Sequence, residues 1–161
     1  MTLPRRCLLL IFLLSTAGLV VALLSQHVLG MRPCAWCVFQ RLILLAVAAS
    51  SLLGWLLGTR VRAAETLTAI VSGALGLGGI VSAWYQYSVA AVQFSCEQTV
   101  ADRFMSGSGL DAALPWLFGI YATCMDARVD LLGIEYALWG LGLFAVITVL
   151  SVVALLKHVR G

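Results

Sequence analysis

The sequence predicts an all-α integral membrane protein: a four-transmembrane-helix bundle with a short interfacial helix in the second of the two loops that face away from its termini. Three observations predict it. Of the 161 residues, 62% are apolar and only 11% are charged, and the mean hydropathy is +1.04. A soluble domain is nearer about 45–50% apolar and about 25% charged, so this chain would over-fill any single aqueous core. Four apolar stretches are each long enough to cross a bilayer core, which needs roughly 20 helical residues. The charges that remain gather between those stretches. The net charge of +3 is small and scattered, and no basic tract of the kind that grips phosphates is present, which argues against a nucleic-acid partner.

The spans are expected at about residues 8–29, 38–57, 67–89 and 131–156, in a single membrane domain covering residues 1–161. The first follows Arg5-Arg6. Its apolar run exceeds the roughly 7–15 residues of a signal-peptide core and three further spans follow, so it reads as a retained anchor helix. The second is the shortest, and its start competes with a cysteine-bearing turn. The third contains Ser72-Gly73-Ala74-Leu75-Gly76-Leu77-Gly78-Gly79. Small residues four apart, such as Ser72/Gly76 and Gly79/Ala83, let helix backbones approach closely, so this stretch reads as a packing face. Arg5, Arg6, Arg60, Arg62, Lys157 and Arg160 mark one face of the membrane. On the other face Arg32, Arg41, Arg103 and Arg128 are offset by six carboxylates, Glu97, Asp102, Asp111, Asp126, Asp130 and Glu135. The excess of Lys and Arg makes the first face cytoplasmic, with both termini and the middle loop on it. Loops at about 30–37 and 90–130 then face the other side. In the long loop, Met105-Ser106-Gly107-Ser108-Gly109 reads as a flexible turn. Residues 110–121, with Leu114, Pro115, Trp116, Leu117, Phe118, Ile120 and Tyr121, are too short to span and suit the headgroup region. An interfacial helix there would hold Cys124 near the membrane.

Five cysteines are present. Cys34, Cys37, Cys96 and Cys124 lie outside the spans on one side, which points to an oxidising compartment, and Cys7 stands alone with no expected role. The stretch Pro33-Cys34-Ala35-Trp36-Cys37-Val38-Phe39-Gln40-Arg41 is the centre of the chain. Two cysteines with two residues between them can close a small disulfide or share a metal. A thiol in the first turn of a helix, with a guanidinium at i+4, is favoured as thiolate, which is a setting for redox chemistry. Zinc would want a second close Cys or His pair, and haem attachment a His directly after Cys37, where Val38 stands. A structural disulfide remains the plain alternative for this pair. Cys96 and Cys124 read either as a structural bridge, worth roughly 3–4 kcal/mol by chain entropy, or as a second exchangeable disulfide. Arg41 reads either as a snorkelling interfacial anchor or as the charge partner of Cys37. Gln26 and His27 end the first span, and a lone His there reads as an interfacial anchor. Glu135 either pairs with a neighbouring helix or caps its own.

With these residues in hand, the sequence resembles the disulfide bond formation protein B (DsbB) family of bacterial inner-membrane thiol:quinone oxidoreductases over nearly its whole length. The likeness is closest in Gln26-His27-Val28 and in Pro33-Cys34-x-x-Cys37-x-x-x-Arg41. It resumes at the separated Cys96 and Cys124, and again in Asp130-Leu131-Leu132-Gly133-x-Glu135-x-x-x-Trp139. The resemblance implies a protein-dithiol:quinone oxidoreductase with no resident metal, multi-pass in the inner membrane, with its thiol loops in the periplasm. It implies a DsbA-like thioredoxin-fold partner whose dithiol is reoxidised by a Cys96–Cys124 disulfide. Cys96 would form the mixed disulfide, Cys124 would pass the electrons to Cys34, and Cys37 would face ubiquinone, or menaquinone, with Arg41 stabilising charge there. This is the kind of relay that keeps a bacterial periplasm oxidising. Two departures stand out. Where many members carry a histidine in the third span, this chain has Ser82, followed by Trp84, Tyr85 and Gln86. Ala137 replaces a proline after Glu135. A vitamin K epoxide reductase-like enzyme is a neighbouring possibility, although its CxxC falls in a later helix; a tetraspan metal-binding or scaffold protein is the alternative of a different class.

Overall fold

The computed structural model describes residues 2–58, 61–90 and 99–160. Helix α1 spans Leu3–His27, α2 spans Ala35–Leu57 and α3 spans Arg62–Tyr85, which continues as a π-helical turn over Gln86–Ala90. Three short helices follow, α4 over Val100–Ser108, α5 over Leu110–Ala113 and α6 over Pro115–Phe118. A minimal hairpin, β1 over Asp130–Leu131 and β2 over Ile134–Glu135, leads into α7 over Tyr136–Arg160. Four helical segments are long and apolar enough to cross a membrane: Leu3–His27, Ala35–Leu57, Ala63–Ala90 and Tyr136–Lys157. The expected fold class is therefore met, and the chain is a multi-pass membrane protein.

The four long helices pack in a ring, α1 against α2, α2 against α3, α3 against α7 and α7 back against α1. Unlike a water-soluble bundle, they turn large apolar side chains outward, and they bury serines among Leu8, Ile11, Phe144 and Ile147. Ser15, Ser51, Ser72 and Ser151 are fully buried, while Leu13, Leu53, Leu67 and Val81 are more than half exposed. Lipid tails are as apolar as leucine, so burying leucine brings little gain there and close approach of small residues drives association. The buried hydroxyls satisfy themselves on carbonyls one turn back, Ser15 on Ile11 at 2.7 Å, Ser51 on Val47 at 2.7 Å and Ser151 on Ile147 at 2.9 Å. The glycine-rich stretch of α3 is the packing face expected, and α7 is what it packs on. Gly73 lies under Ser151, Gly76 under Thr148 and Ile147, and a Cβ on Gly79 would overlap the Phe144 ring. Ser72 turns instead to α2, sharing a 3.0 Å hydrogen bond with Ser50.

At the cysteine end the structure differs from expectation in three places. Met105–Gly109 is not a flexible turn: Met105 is fully buried, and residues 105–108 belong to α4. A capping box starts that helix, with Thr99 Oγ1 accepting from the Asp102 N–H and Asp102 Oδ2 accepting from the Thr99 N–H. Gly109 ends it in the left-handed region at φ 69°. The interfacial helix is present as two single turns, because Leu114 precedes Pro115 and is driven out of the helical region, to φ −132° and ψ 65°. The fourth span begins at Tyr136, not at residue 131. Asp130 pairs with Glu135 and Leu131 with Ile134 across the turn Leu132-Gly133, whose φ values of 56° and 79° are both positive.

Candidate active site

The chain leaves α1 at His27 and re-enters helix at Ala35, so Cys34 is the extended N-cap residue of α2 and Cys37 lies in its first turn. Two helix-start residues three apart stand on one side of the first turn. Their sulfurs are 3.2 Å apart and share a hydrogen bond. Cys34 is fully buried, and its sulfur also interacts with that of Cys124, which sits 90 positions further along the chain. The Cys124 sulfur, followed by burial, pushes the Cys34 thiol up to about 12, against an opposing pull from Cys37.

Several contacts deliver Cys124 to this spot. The Tyr121 N–H donates to the Pro33 carbonyl at 3.0 Å, pairing the approach to Cys124 with the approach to Cys34. Helix α6 is pinned by His27 Nε2, which donates to the Trp116 carbonyl at 2.9 Å, and by Arg41 Nη1, which donates to the Leu117 carbonyl at 3.0 Å. Beneath these, Val38, Met105, Leu117 and Phe118 form a small apolar core of their own. His27 thus tethers the end of α1 to α6. Glu135 pairs with Arg128 at 3.0 Å beside the hairpin and not with another membrane helix.

Arg41 is buried and shares a cavity wall with Cys37. Its hydrogen bonds run to Gln26 Oε1, to the Leu117 carbonyl and, at 3.2 Å, to the Ala22 carbonyl. The donor that reaches Cys37 Sγ is Gln86 Nε2, at 3.1 Å, and Gln86 Oε1 accepts from Gln40 Nε2 at 2.8 Å. Neither glutamine was singled out as a site residue from the sequence. The available signal was energetic: an uncharged amide inside an apolar span needs a partner, because the bilayer core offers no water. Ser82, at the position where the family resemblance implies a histidine, donates to the Gly79 carbonyl of its own helix at 2.9 Å.

Between α1, α2 and α7 lies a cavity of about 180 Å³. Leu44, Leu143 and Phe144 supply apolar walls, and Cys37, Gln40, Arg41, Gln86 and Tyr136 supply the polar groups. The arrangement brings together three of the four site cysteines and Arg41. The fourth, Cys96, lies outside the described residues. Cys7 is in the bundle core with Leu8 and Ile11, near the start of α1, about 30 Å of helix away from the site. Among the described residues, no three His, Cys, Asp or Glu side chains cluster as metal ligands.

The chain is similar to known proteins over most of its length. The family model for disulfide bond formation protein DsbB matches residues 4–154. Disulfide bond formation protein B of Verminephrobacter eiseniae is 32% identical, over 98% of this chain and 89% of its own. Disulfide bond formation protein B 1 of Pseudomonas savastanoi is 30% identical, over 97% and 92% respectively. Disulfide bond formation protein B of Burkholderia pseudomallei is 32% identical, over 98% and 92%.

Proposed function

We propose, given that this chain belongs to the disulfide bond formation protein DsbB family, that it reoxidises a periplasmic DsbA-like dithiol and passes the electrons through two disulfides to a membrane quinone. Family membership makes the chain an oxidoreductase of disulfide bond formation that works with a partner protein. The proposal adds the route, the acceptor and the compartment. The carrying observation is that the Cys34 sulfur interacts both with that of Cys37, at 3.2 Å, and with that of Cys124. A sulfur in contact with two others is the node that thiol–disulfide exchange requires.

The steps balance as exchanges. A thiolate of the partner attacks Cys96 of the oxidised Cys96–Cys124 pair, forming a mixed disulfide and releasing Cys124 as thiolate. The partner's second thiol displaces Cys96, and the partner leaves oxidised. Cys124 attacks Cys34 of the oxidised Cys34–Cys37 pair, and Cys37 is released as thiolate. Cys96 then displaces Cys34 from Cys124, restoring the loop disulfide and leaving Cys34 and Cys37 reduced. Attack on Cys34 in preference to Cys37 follows from contact, since Cys124 touches Cys34, while Cys37 faces the cavity.

The cavity suits a quinone. Such a ring is flat and apolar with two acceptor oxygens, and the cavity joins the apolar walls of Leu44, Leu143 and Phe144 to a few polar groups, Arg41, Gln40, Gln86 and Tyr136 among them. Arg41 and Tyr136 would hold the ring beside Cys37, and a bound quinone, ubiquinone or menaquinone, supplies a two-electron, two-proton sink. Arg41 contributes fixed positive charge from a buried position in the cavity wall, where such charge acts more strongly than in open water. The excess of Lys and Arg near the termini and the middle loop supports a bacterial inner-membrane orientation with both termini cytoplasmic and the thiol loops periplasmic.

The test is anaerobic: purified chain in detergent, a reduced thioredoxin-fold partner, and ubiquinone followed by its ultraviolet absorbance. Bleaching that depends on both partner and Cys37 supports the proposal. Activity with menaquinone alone changes the acceptor and keeps the route. Silence with both quinones, with thiols that instead titrate zinc, would overturn it.

A further inference from the structure

Cys37 receives one side-chain donor that the exchange steps do not use. Gln86 Nε2 reaches Cys37 Sγ at 3.1 Å while Gln86 Oε1 accepts from Gln40 Nε2 at 2.8 Å. Both amides are buried, Gln86 at 6% and Gln40 at 9% exposure. A primary amide can present either end to a neighbour, and the chemistry differs with the end presented. An amide oxygen facing sulfur would accept from S–H and favour the thiol, whereas an amide N–H favours the thiolate. The Gln40 NH2 decides which. By donating to the Gln86 oxygen, it leaves Gln86 only its NH2 group for the sulfur. Gln40 is held in turn by close packing: its Oε1 lies against Gly140 of α7, where a Cβ would stand 3.1 Å away. Backbone geometry contributes as well. Gln86 opens the π-helical turn at the end of α3, and its N–H is shared between the Ser82 and Ala83 carbonyls. Such widened turns re-aim side chains and recur at functional sites.

We infer, on the reading that Cys37 is the thiolate released in the exchange, that Gln86 is a catalytic hydrogen-bond donor to that thiolate and that Gln40 is the positioning residue that fixes its polarity. An amide donor stabilises the negative sulfur without adding a net charge to a site inside the bilayer, where each added charge is costly. It makes Cys37 a better leaving group when Cys124 attacks Cys34, since exchange runs faster as the leaving thiol is better stabilised as thiolate. It also stabilises the reduced state of the pair over the disulfide, which makes the pair a stronger oxidant of the loop cysteines.

The test reads the Cys34–Cys37 pair without quinone. In the full chain in detergent, with Cys7, Cys96 and Cys124 replaced by Ala, the pair is equilibrated against reduced and oxidised glutathione. The free thiols are then alkylated and counted by mass. Gln86→Met keeps the length of the side chain and removes the donor. It is expected to shift the equilibrium constant toward the disulfide by about tenfold, the scale of a hydrogen bond to a charged group. It is also expected to slow iodoacetamide alkylation of Cys37 at fixed pH. Gln40→Met leaves Gln86 in place but frees its orientation, and should shift both readouts in the same direction by a smaller factor. Circular dichroism and gel filtration check that both variants fold. A folded Gln86→Met chain that keeps the equilibrium and the alkylation rate within twofold of wild type overturns the inference, and a folded Gln40→Met chain that does so overturns the positioning role of Gln40. A wild-type chain that reduces no quinone, together with a Gln86→Met shift of the expected size, would remove the quinone route while supporting the donor.

Discussion

Arg41 Nη1 donates to the carbonyl of Leu117 at 3.0 Å, so a guanidinium rooted in the second membrane helix holds the interfacial turn that leads to Cys124. The same fork reaches Gln26 Oε1 and the Ala22 carbonyl on the first helix. One side chain therefore ties three segments together at the wall of the cavity. Arg41→Met is expected to raise the apparent quinone KM by about tenfold, the scale of one lost charge-assisted hydrogen bond. It is also expected to speed limited proteolysis of residues 119–130. Arg41→Lys should recover only part of either loss, because one ammonium does not reproduce a planar five-donor fork. Faster proteolysis with an unchanged KM would assign Arg41 to anchoring alone.

Cys34→Ser and Cys37→Ser should each abolish quinone reduction, since either change leaves Cys124 without a disulfide to attack. Normal turnover in either variant would rule out the pair as the route. Cys7→Ala supplies the control. Its side chain packs in the bundle core about 30 Å from the site, so activity should be unchanged and only stability should fall, by about 1 kcal/mol. A large loss of activity would expose a thiol with a role of its own.

Cys34 in the reduced chain is held up to about 12, chiefly by the Cys124 sulfur. Below that point the reactive thiolate fraction rises tenfold per pH unit, so alkylation of Cys34 should keep accelerating through the pH range where an ordinary thiol levels off. The same shift has a sign for stability. The folded state holds this proton more tightly than the unfolded chain. The stability of the reduced protein linked to it is full below the ordinary thiol range and is lost as pH rises toward about 12. Cys124→Ala removes the first cause and should bring the alkylation midpoint down; an unmoved midpoint would mean that burial alone sets it.

Gly79 lies against the Phe144 ring with no room for a Cβ. Gly79→Ala should force the third and fourth spans apart and cost about 1–3 kcal/mol, read as a lower Tm in detergent. Gly78→Ala, one position along with nothing within 4 Å of its added Cβ, should be close to neutral. Equal effects at the two positions would show that helix propensity, not the seam, is being measured.

The loop shows where sequence reading stops short and why. Thr99 and Asp102 form a capping box that the sequence reading leaves aside, and Met105-Ser106-Gly107-Ser108-Gly109 reads there as a flexible turn. The helix forms because its capped start and the buried Met105 dock it on Val38 and Phe118, a tertiary gain that local propensity does not contain. Likewise, hydropathy alone carried the fourth span back to residue 131. Only the pairing of Asp130 with Glu135 turns that stretch into a hairpin.

What the sequence by itself determined is the membrane bundle, the paired thiols at a helix start and an arginine one turn on. Each is a local property: a run of apolar residues, a spacing of three and a spacing of four, all legible because the helix has a fixed period. Which polar group meets which sulfur was decided only by the tertiary structure. Gln40 and Gln86 are 46 residues apart and Arg41 and Leu117 are 76. No local pattern encodes those pairings; they follow from where packed helices and a docked loop bring buried donors to the acceptors that satisfy them.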